Sequence, residues 1–242
     1  MTEPHALGEV RRFLAASLVR PVERTRPETR QARLRRRVVV GATVAVGAAA
    51  LGLALTIRPG DPLFYAASAA VAALWAVGAL ASGRLYLGWG RTRSGGRSRG
   101  VLQGFLLGLL LLAIFLGGAL VVARIPPLRG PVEGLLDHAR YGSIWIVAAI
   151  TAVNGVAEEL FFRGAVYAAL DRRLNVLGST VLYTASTLFT GVPLLTFAAL
   201  CLGLLTAAQR RVTGGVLGPI ASHLTWSLGM LFLLPATFAL GG

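Results

Sequence analysis

The sequence contains no lysine, one cysteine, three histidines and only ten acidic residues. Each scarcity narrows what the chain can be. A lone cysteine, Cys201, excludes an intrachain disulfide and is silent on redox compartment; set in an apolar run, it reads as a small buried hydrophobe. Charged residues make up 14% of the chain against 55% hydrophobic, and the mean hydropathy is +0.68. Such a chain is too apolar to solvate itself as an ordinary globular domain. The net charge of +14 would suggest nucleic acid in a soluble protein. Here all 24 basic residues are arginine in a chain rich in Ala, Gly and Val, a composition that reads as coding bias, so no nucleic-acid partner is expected.

What the sequence does have is long apolar runs. A helix needs about 20 predominantly apolar residues to cross a hydrocarbon core of roughly 30 Å. Seven segments approach this length: residues 38–57, 63–82, 101–123, 142–162 or beyond, 174–190, 194–209 and 216–240. The fifth and sixth are short and separated only by Gly191, Val192 and Pro193, which reads either as a tight hairpin of spans or as one segment broken within the membrane. The expected fold is therefore an all-α, polytopic transmembrane helix bundle of about seven spans, with six and eight as bounds. It divides into a basic cytosolic tail (1–37), three N-terminal transmembrane helices (38–123) with an Arg-rich cytosolic loop (83–100), and a helical core (142–240).

Arginine placement sets the expected orientation, because short arginine-rich loops stay on the cytoplasmic side. Ten arginines precede Val38, and Arg84, Arg91, Arg93, Arg97 and Arg99 follow the second run. Asp171, Arg172 and Arg173 follow the fourth, and Arg210 with Arg211 the sixth. The connection after the first run carries only Arg58 against Asp61. The N-terminus is placed in the cytoplasm and the C-terminus outside, in the plasma membrane of a bacterium. The first apolar run is read as a retained anchor, since its arginine-rich lead is longer than that of a cleavable signal. Within the tail, residues 11–20 mix arginine with Phe13, Leu14, Leu18 and Val19, which suits an anionic lipid surface; the simpler reading is a disordered tail. The run at 91–99 reads as a flexible solvated loop.

The chemistry lies elsewhere. From Tyr141 to Gly242 the only acids are Glu158, Glu159 and Asp171, and the first two sit among apolar residues. An ionised acid at the centre of a membrane helix costs about 2.5–3.5 kcal/mol on the mildest scales, so an adjacent pair needs a partner or a function. On a helix Glu159 and Arg163 are four apart and share a face, while Glu158 is turned by about 100° and free to point into a cavity. A paired and an unpaired acid can take different roles, the latter as general base. The alternative is that both serve as polar glue between helices. Only one of the histidines, His223, lies within a span, four residues before Ser227 on the same face; His5 and His138 read as exposed and inert. Two glutamates and a histidine thus form a candidate convergent site.

These residues resemble the CAAX-processing and bacteriocin-processing intramembrane peptidases, the CPBP or ABI family. The motif Glu-Glu-x-x-x-Arg stands complete as Glu158, Glu159 and Arg163, followed by Gly164. The second motif, Phe-x-x-x-His, is matched by Phe189 but ends in Pro193 in place of histidine. The last, His-x-x-x-Asn, is present as His223 with Ser227 in the asparagine position. The resemblance covers residues 142–235. It implies an endopeptidase cleaving a peptide bond near the cytosolic membrane face, in which the first glutamate, Glu158, and the second-motif histidine activate water and the last-motif residues, His223 and Ser227, face the oxyanion. Glu159 and Arg163 are then the orienting pair.

Some descriptions of the family invoke zinc, for which Glu158 and His223 would be the ligands here; the glutamate-base scheme requires no cofactor. Pro193 removes an imidazole that no side chain at that position can replace. Two alternatives therefore stand beside the peptidase: a catalytically impaired relative that binds a membrane protein as a scaffold, and a proton- or cation-coupled transporter. The expected partners are a peptide or membrane-protein substrate and membrane lipid. Oligomeric state is not read from the sequence.

Overall fold

The chain is described by a computed structural model over residues 5–19, 21, 28–91 and 96–241. The side chain of His5 and the centre of the arginine-rich loop lie outside the described residues. A short helix α1 (His5–Leu14) runs into a π-helical turn (Ala15–Val19). The spans follow as α2 (Arg30–Leu55), α3 (Pro62–Ser82) and α4 (Val101–Val122). After them come α5 (Pro126–Arg140) and α6 (Ile144–Glu158), the latter continuing through a π-helical stretch (Glu159–Val166) into the last turn α7 (Tyr167–Ala169). The chain ends in α8 (Asn175–Thr187), α9 (Pro193–Thr213) and α10 (Leu217–Gly241).

The architecture is the expected all-α membrane bundle, and among the described residues six helices are long and apolar enough to cross a membrane. The expected seventh span differs. At 13 residues, α8 with its following 3-10 turn (Leu188–Thr190) falls short of the others. It runs beside α2 from the level of Arg37, whose Nε donates to Ala169 O at 3.0 Å, to the level of Gly52, which packs on Phe189. Fifteen residues of α2 correspond to about 22 Å. The segment is half of a helical hairpin with α9, turned by Gly191 at φ 70° and restarted by Pro193 in the first turn of α9.

Helix ends follow caps rather than hydropathy, which moves the first boundary. Thr29 caps α2 by accepting from Ala32 N at 3.2 Å, so five arginines sit on its first turns and the helix starts eight residues before Val38. Arg36 is buried there, paired with Glu28 at 2.5 Å and donating to Ser82 Oγ and Arg84 O. The N-terminal segment also departs from the disordered reading: Ser17 is buried, and the turn that holds it lies against α9. The ends of the 91–99 run are likewise ordered, Gly90–Arg91 pairing antiparallel with Arg97–Ser98.

Two close packings set the site. Helix α4 runs parallel to α10, and Gly104 and Gly108 form a small-residue stripe against Gly218, Ala221, Ser222 and Thr225. A side chain at either glycine would collide with the α10 backbone. Ser222 Oγ donates to Gly104 O at 2.8 Å, which locks the turn carrying His223. On the other side Trp75 of α3 packs on Phe161 and Phe162, with ring centroids 4.9 and 5.1 Å apart.

The bundle has two distinct ends. At the arginine-rich end, residues 86–89 lie across the α9–α10 turn through Trp89 N to Thr213 O, Val216 N to Tyr86 O and Leu217 N to Leu87 O, each 3.0 Å. At the opposite end α5 packs on the α2–α3 connection. His138, expected to be exposed and inert, holds Ile57 O at 3.0 Å through Nε2 and sits 4.5 Å from the Phe64 ring. Its position four residues after Gly134 on an amphipathic helix, rather than in a loop, is what brings it there.

Candidate active site

The glutamate pair lies where α6 changes to π-helical geometry, with Tyr167 N–H bonding Phe162 O five residues back. Such π stretches inside helices are frequent at functional sites. The two acids take separate environments. Glu159 and Arg163 retain no side-chain exposure, whereas Glu158 keeps 16% and lines a cavity of about 250 Å³.

Glu159 faces two partners. Its Oε2 lies 3.4 Å from Arg163 Nε, and its Oε1 lies 2.9 Å from His223 Nδ1. A carboxylate oxygen accepts, so His223 Nδ1 carries the hydrogen and Nε2 is turned away from Glu159. Arg163 also stacks on the Tyr183 ring, 4.5 Å from its centroid, and its carbonyl accepts from Arg210 Nε at 2.7 Å. Ser222 Oγ, one residue before the histidine, also lies 2.8 Å from the Gln209 side-chain amide. Three helices thus fix the imidazole.

Glu158 faces the cavity, and its Oε2 accepts from Tyr183 Oη at 2.7 Å. His223 Nε2 is 4.0 Å from the same oxygen. A gap of that length has room for one water at about 2.8 Å from each atom, an ordinary hydrogen-bond length. Ser227 also contributes to the cavity wall, one turn beyond His223, with its Oγ buried and without a hydrogen-bond partner.

Glu158, Glu159, Arg163, His223 and Ser227 are therefore brought together. Phe189 and Pro193 are not. Phe189 is 69% exposed and Pro193 begins α9 at the outer turn, so neither reaches the cavity. A histidine at 193 would stand apart from Glu158. Pro193→His is accordingly expected to leave cleavage rates unchanged, as compared in a peptide-cleavage assay on the purified variant.

Tyr183 is the residue that sequence reasoning missed. The signal was a polar stripe on α8, where Ser179, Thr180, Tyr183, Ser186 and Thr187 recur at helical spacing and are all buried. Asn154 belongs to the wall as well, its Nδ2 donating to Ser68 O at 3.2 Å.

The donor set does not fit zinc well. Glu159 is occupied by Arg163 and His223, which leaves Glu158 and His223 Nε2, and no group of three His, Cys, Asp or Glu converges among the described residues. Zinc sites ordinarily supply three protein ligands.

No curated protein and no solved structure matches the chain. Residues 140–229 match the family model described as type II CAAX prenyl endopeptidase Rce1-like. The match takes in Glu158, Glu159, Arg163, Tyr183, His223 and Ser227 and leaves the first three spans outside it. The segment that builds this site is thus similar to the Rce1-like endopeptidases.

Proposed function

We propose that the protein is an intramembrane endopeptidase in which Glu158 is the general base. The observation that carries this reading is the division of labour between adjacent acids: Glu159 is spent on Arg163 and His223, while Glu158 faces open space. A water in the gap between Glu158 Oε2 and His223 Nε2 gives its proton to Glu158 and attacks the scissile carbonyl. The Glu158 carboxyl then passes the proton to the leaving amine, as a general acid-base residue does over a full cycle.

His223 is placed for the oxyanion. With Nδ1–H held by the Glu159 carboxylate, its imidazolium form directs Nε2–H toward the cavity, where negative charge develops on the carbonyl oxygen. Ser227 supplies a further hydroxyl in the wall at the position where the resemblance implies asparagine. No step needs a metal.

Tyr183 orients the base. Its hydroxyl fixes Oε2, the same carboxylate oxygen that faces His223 Nε2 across the gap for the water. Tyr183→Phe removes a hydrogen bond to a charged group, and cleavage is expected to fall on the order of tenfold. The loss should appear in kcat rather than KM, since the ring and its stacking on Arg163 remain.

The proposal is tested with purified protein in lipid, offered a library of peptides with apolar membrane-flanking sequences. New peptide termini that appear with wild type and are lost in Glu158→Gln support it. Equal cleavage by both proteins sinks it.

A further inference from the structure

Polar side chains line the cavity beyond the catalytic groups: Ser68 of α3, Thr151 and Asn154 of α6, and Ser186 and Thr187 of α8. The two hydroxyls of α8 are satisfied within their own helix, Ser186 Oγ donating to Tyr183 O and Thr187 Oγ1 to Thr184 O, each at 2.7 Å. Asn154 differs. Its Nδ2 donates to Ser68 O at 3.2 Å and to Ile150 O at 3.1 Å, which uses both amide hydrogens. Two carbonyl acceptors fix which end of the amide is the nitrogen, so the other end is Oδ1. That oxygen accepts no hydrogen bond among the described residues, and it is open rather than sealed in the packing.

An amide oxygen without a donor is costly inside a membrane-spanning helix, where bulk water is distant. What it lacks is an N–H. Asn154 stands one turn before Glu158 on α6, and both line the same cavity. Four residues of helix rise about 6 Å. In an extended peptide alternate residues repeat at about 6.6 Å and turn the same edge outward. A backbone lying along α6 with its scissile carbonyl at Glu158 therefore brings an N–H two residues away to Asn154. Thr151, three residues earlier, continues the polar line on the same face.

We propose that Asn154 Oδ1 is a peptide-binding group that accepts a main-chain N–H of the bound substrate, two residues from the scissile bond. This rests on the endopeptidase reading. The donor is a backbone amide rather than a side chain, since an extended peptide carries one at this spacing whatever its sequence. The contact forms whichever side the peptide enters from. Ser68 O and Ile150 O hold the Asn154 amide before substrate arrives, so the acceptor is preorganised and little side-chain freedom is lost on binding.

Backbone ester substitution tests the contact. Replacing an amide by an ester removes the N–H and sets an oxygen against Oδ1 while the side chains stay the same. Radiolabelled capped tetraalanine, and analogues with each Ala–Ala amide in turn made an ester, are bound to the Glu158→Gln protein in lipid nanodiscs, where no turnover consumes them. One analogue should bind about tenfold more weakly than the parent, and the others nearly as well as it does. With Asn154→Leu added, that analogue and the parent should bind alike. A merely structural role for Asn154 would weaken all the peptides equally and keep the gap between them, which would overturn the proposal. Equal binding of every analogue to Glu158→Gln alone, a result that does not need the Asn154 variant to fold, would overturn it too, as would no binding of the parent peptide. Cleavage by wild type alongside equal binding would sink this contact alone. The selective ester effect without any cleavage would retain the contact and remove the endopeptidase reading.

Discussion

Glu158→Gln should fold and insert as wild type does and lose cleavage by about 10³-fold, within the range that general-base catalysis contributes. The substitution is nearly isosteric, and the amide can still accept the Tyr183 hydrogen bond through its oxygen. It removes a charge that faces a cavity and leaves the Glu159, Arg163 and His223 cluster untouched. Thermal unfolding in detergent should therefore move little while product formation disappears. A variant that cleaves normally would assign the base elsewhere. A variant that unfolds early would show that Glu158 holds the bundle together.

Glu159→Gln, one residue along, should do the reverse. Glu159 and Arg163 have no exposed side chain, and three nitrogens of Arg163 have no hydrogen-bond partner. The carboxylate is the charge that offsets the guanidinium, and breaking a buried pair by removing one member costs about 3–5 kcal/mol. The variant should unfold at clearly lower temperature, and its activity should fall with the loss of His223 orientation. Replacing both Glu159 and Arg163 by apolar residues of similar volume should restore part of the stability without restoring activity. This pattern separates a supporting role from a chemical one. Equal thermal stability of Glu158→Gln and Glu159→Gln would contradict the assignment of the two acids.

How far the sequence foretold this arrangement differs from element to element. Apolar length located six spans, because burial of a helix in lipid is a matter of composition over about 20 residues. It misplaced the start of α2, since five arginines look like a soluble tail until Thr29 is seen capping the helix and Glu28 pairing with Arg36. It overestimated α8, whose apolar count reflects packing between α2 and α9 rather than a full crossing. The ordered tail could not be foreseen, because it is the π-helical turn after α1 that lies against α9, a contact local propensity does not announce.

The site was legible where charge is scarce. Glu158, Glu159, Arg163 and His223 stand out in an apolar half-chain, and four-residue spacing paired Glu159 with Arg163 before any coordinates. Tyr183 was hidden, because a tyrosine in an apolar segment reads as a core aromatic. Only its hydroxyl at 2.7 Å from Glu158 shows otherwise. Phe189 and Pro193 misled for a related reason. Motif spacing is one-dimensional, whereas the hairpin turn at Gly191 carries both positions to the outer end of the bundle, away from the acid.

The measurement that bears most directly on the central claim is mass-spectrometric detection of new peptide termini after incubating purified wild type and Glu158→Gln in lipid with apolar peptides. The account predicts a defined internal cleavage by wild type, absent from Glu158→Gln at equal thermal stability. Cleavage of equal extent in both, or none by a folded wild-type protein, would contradict it.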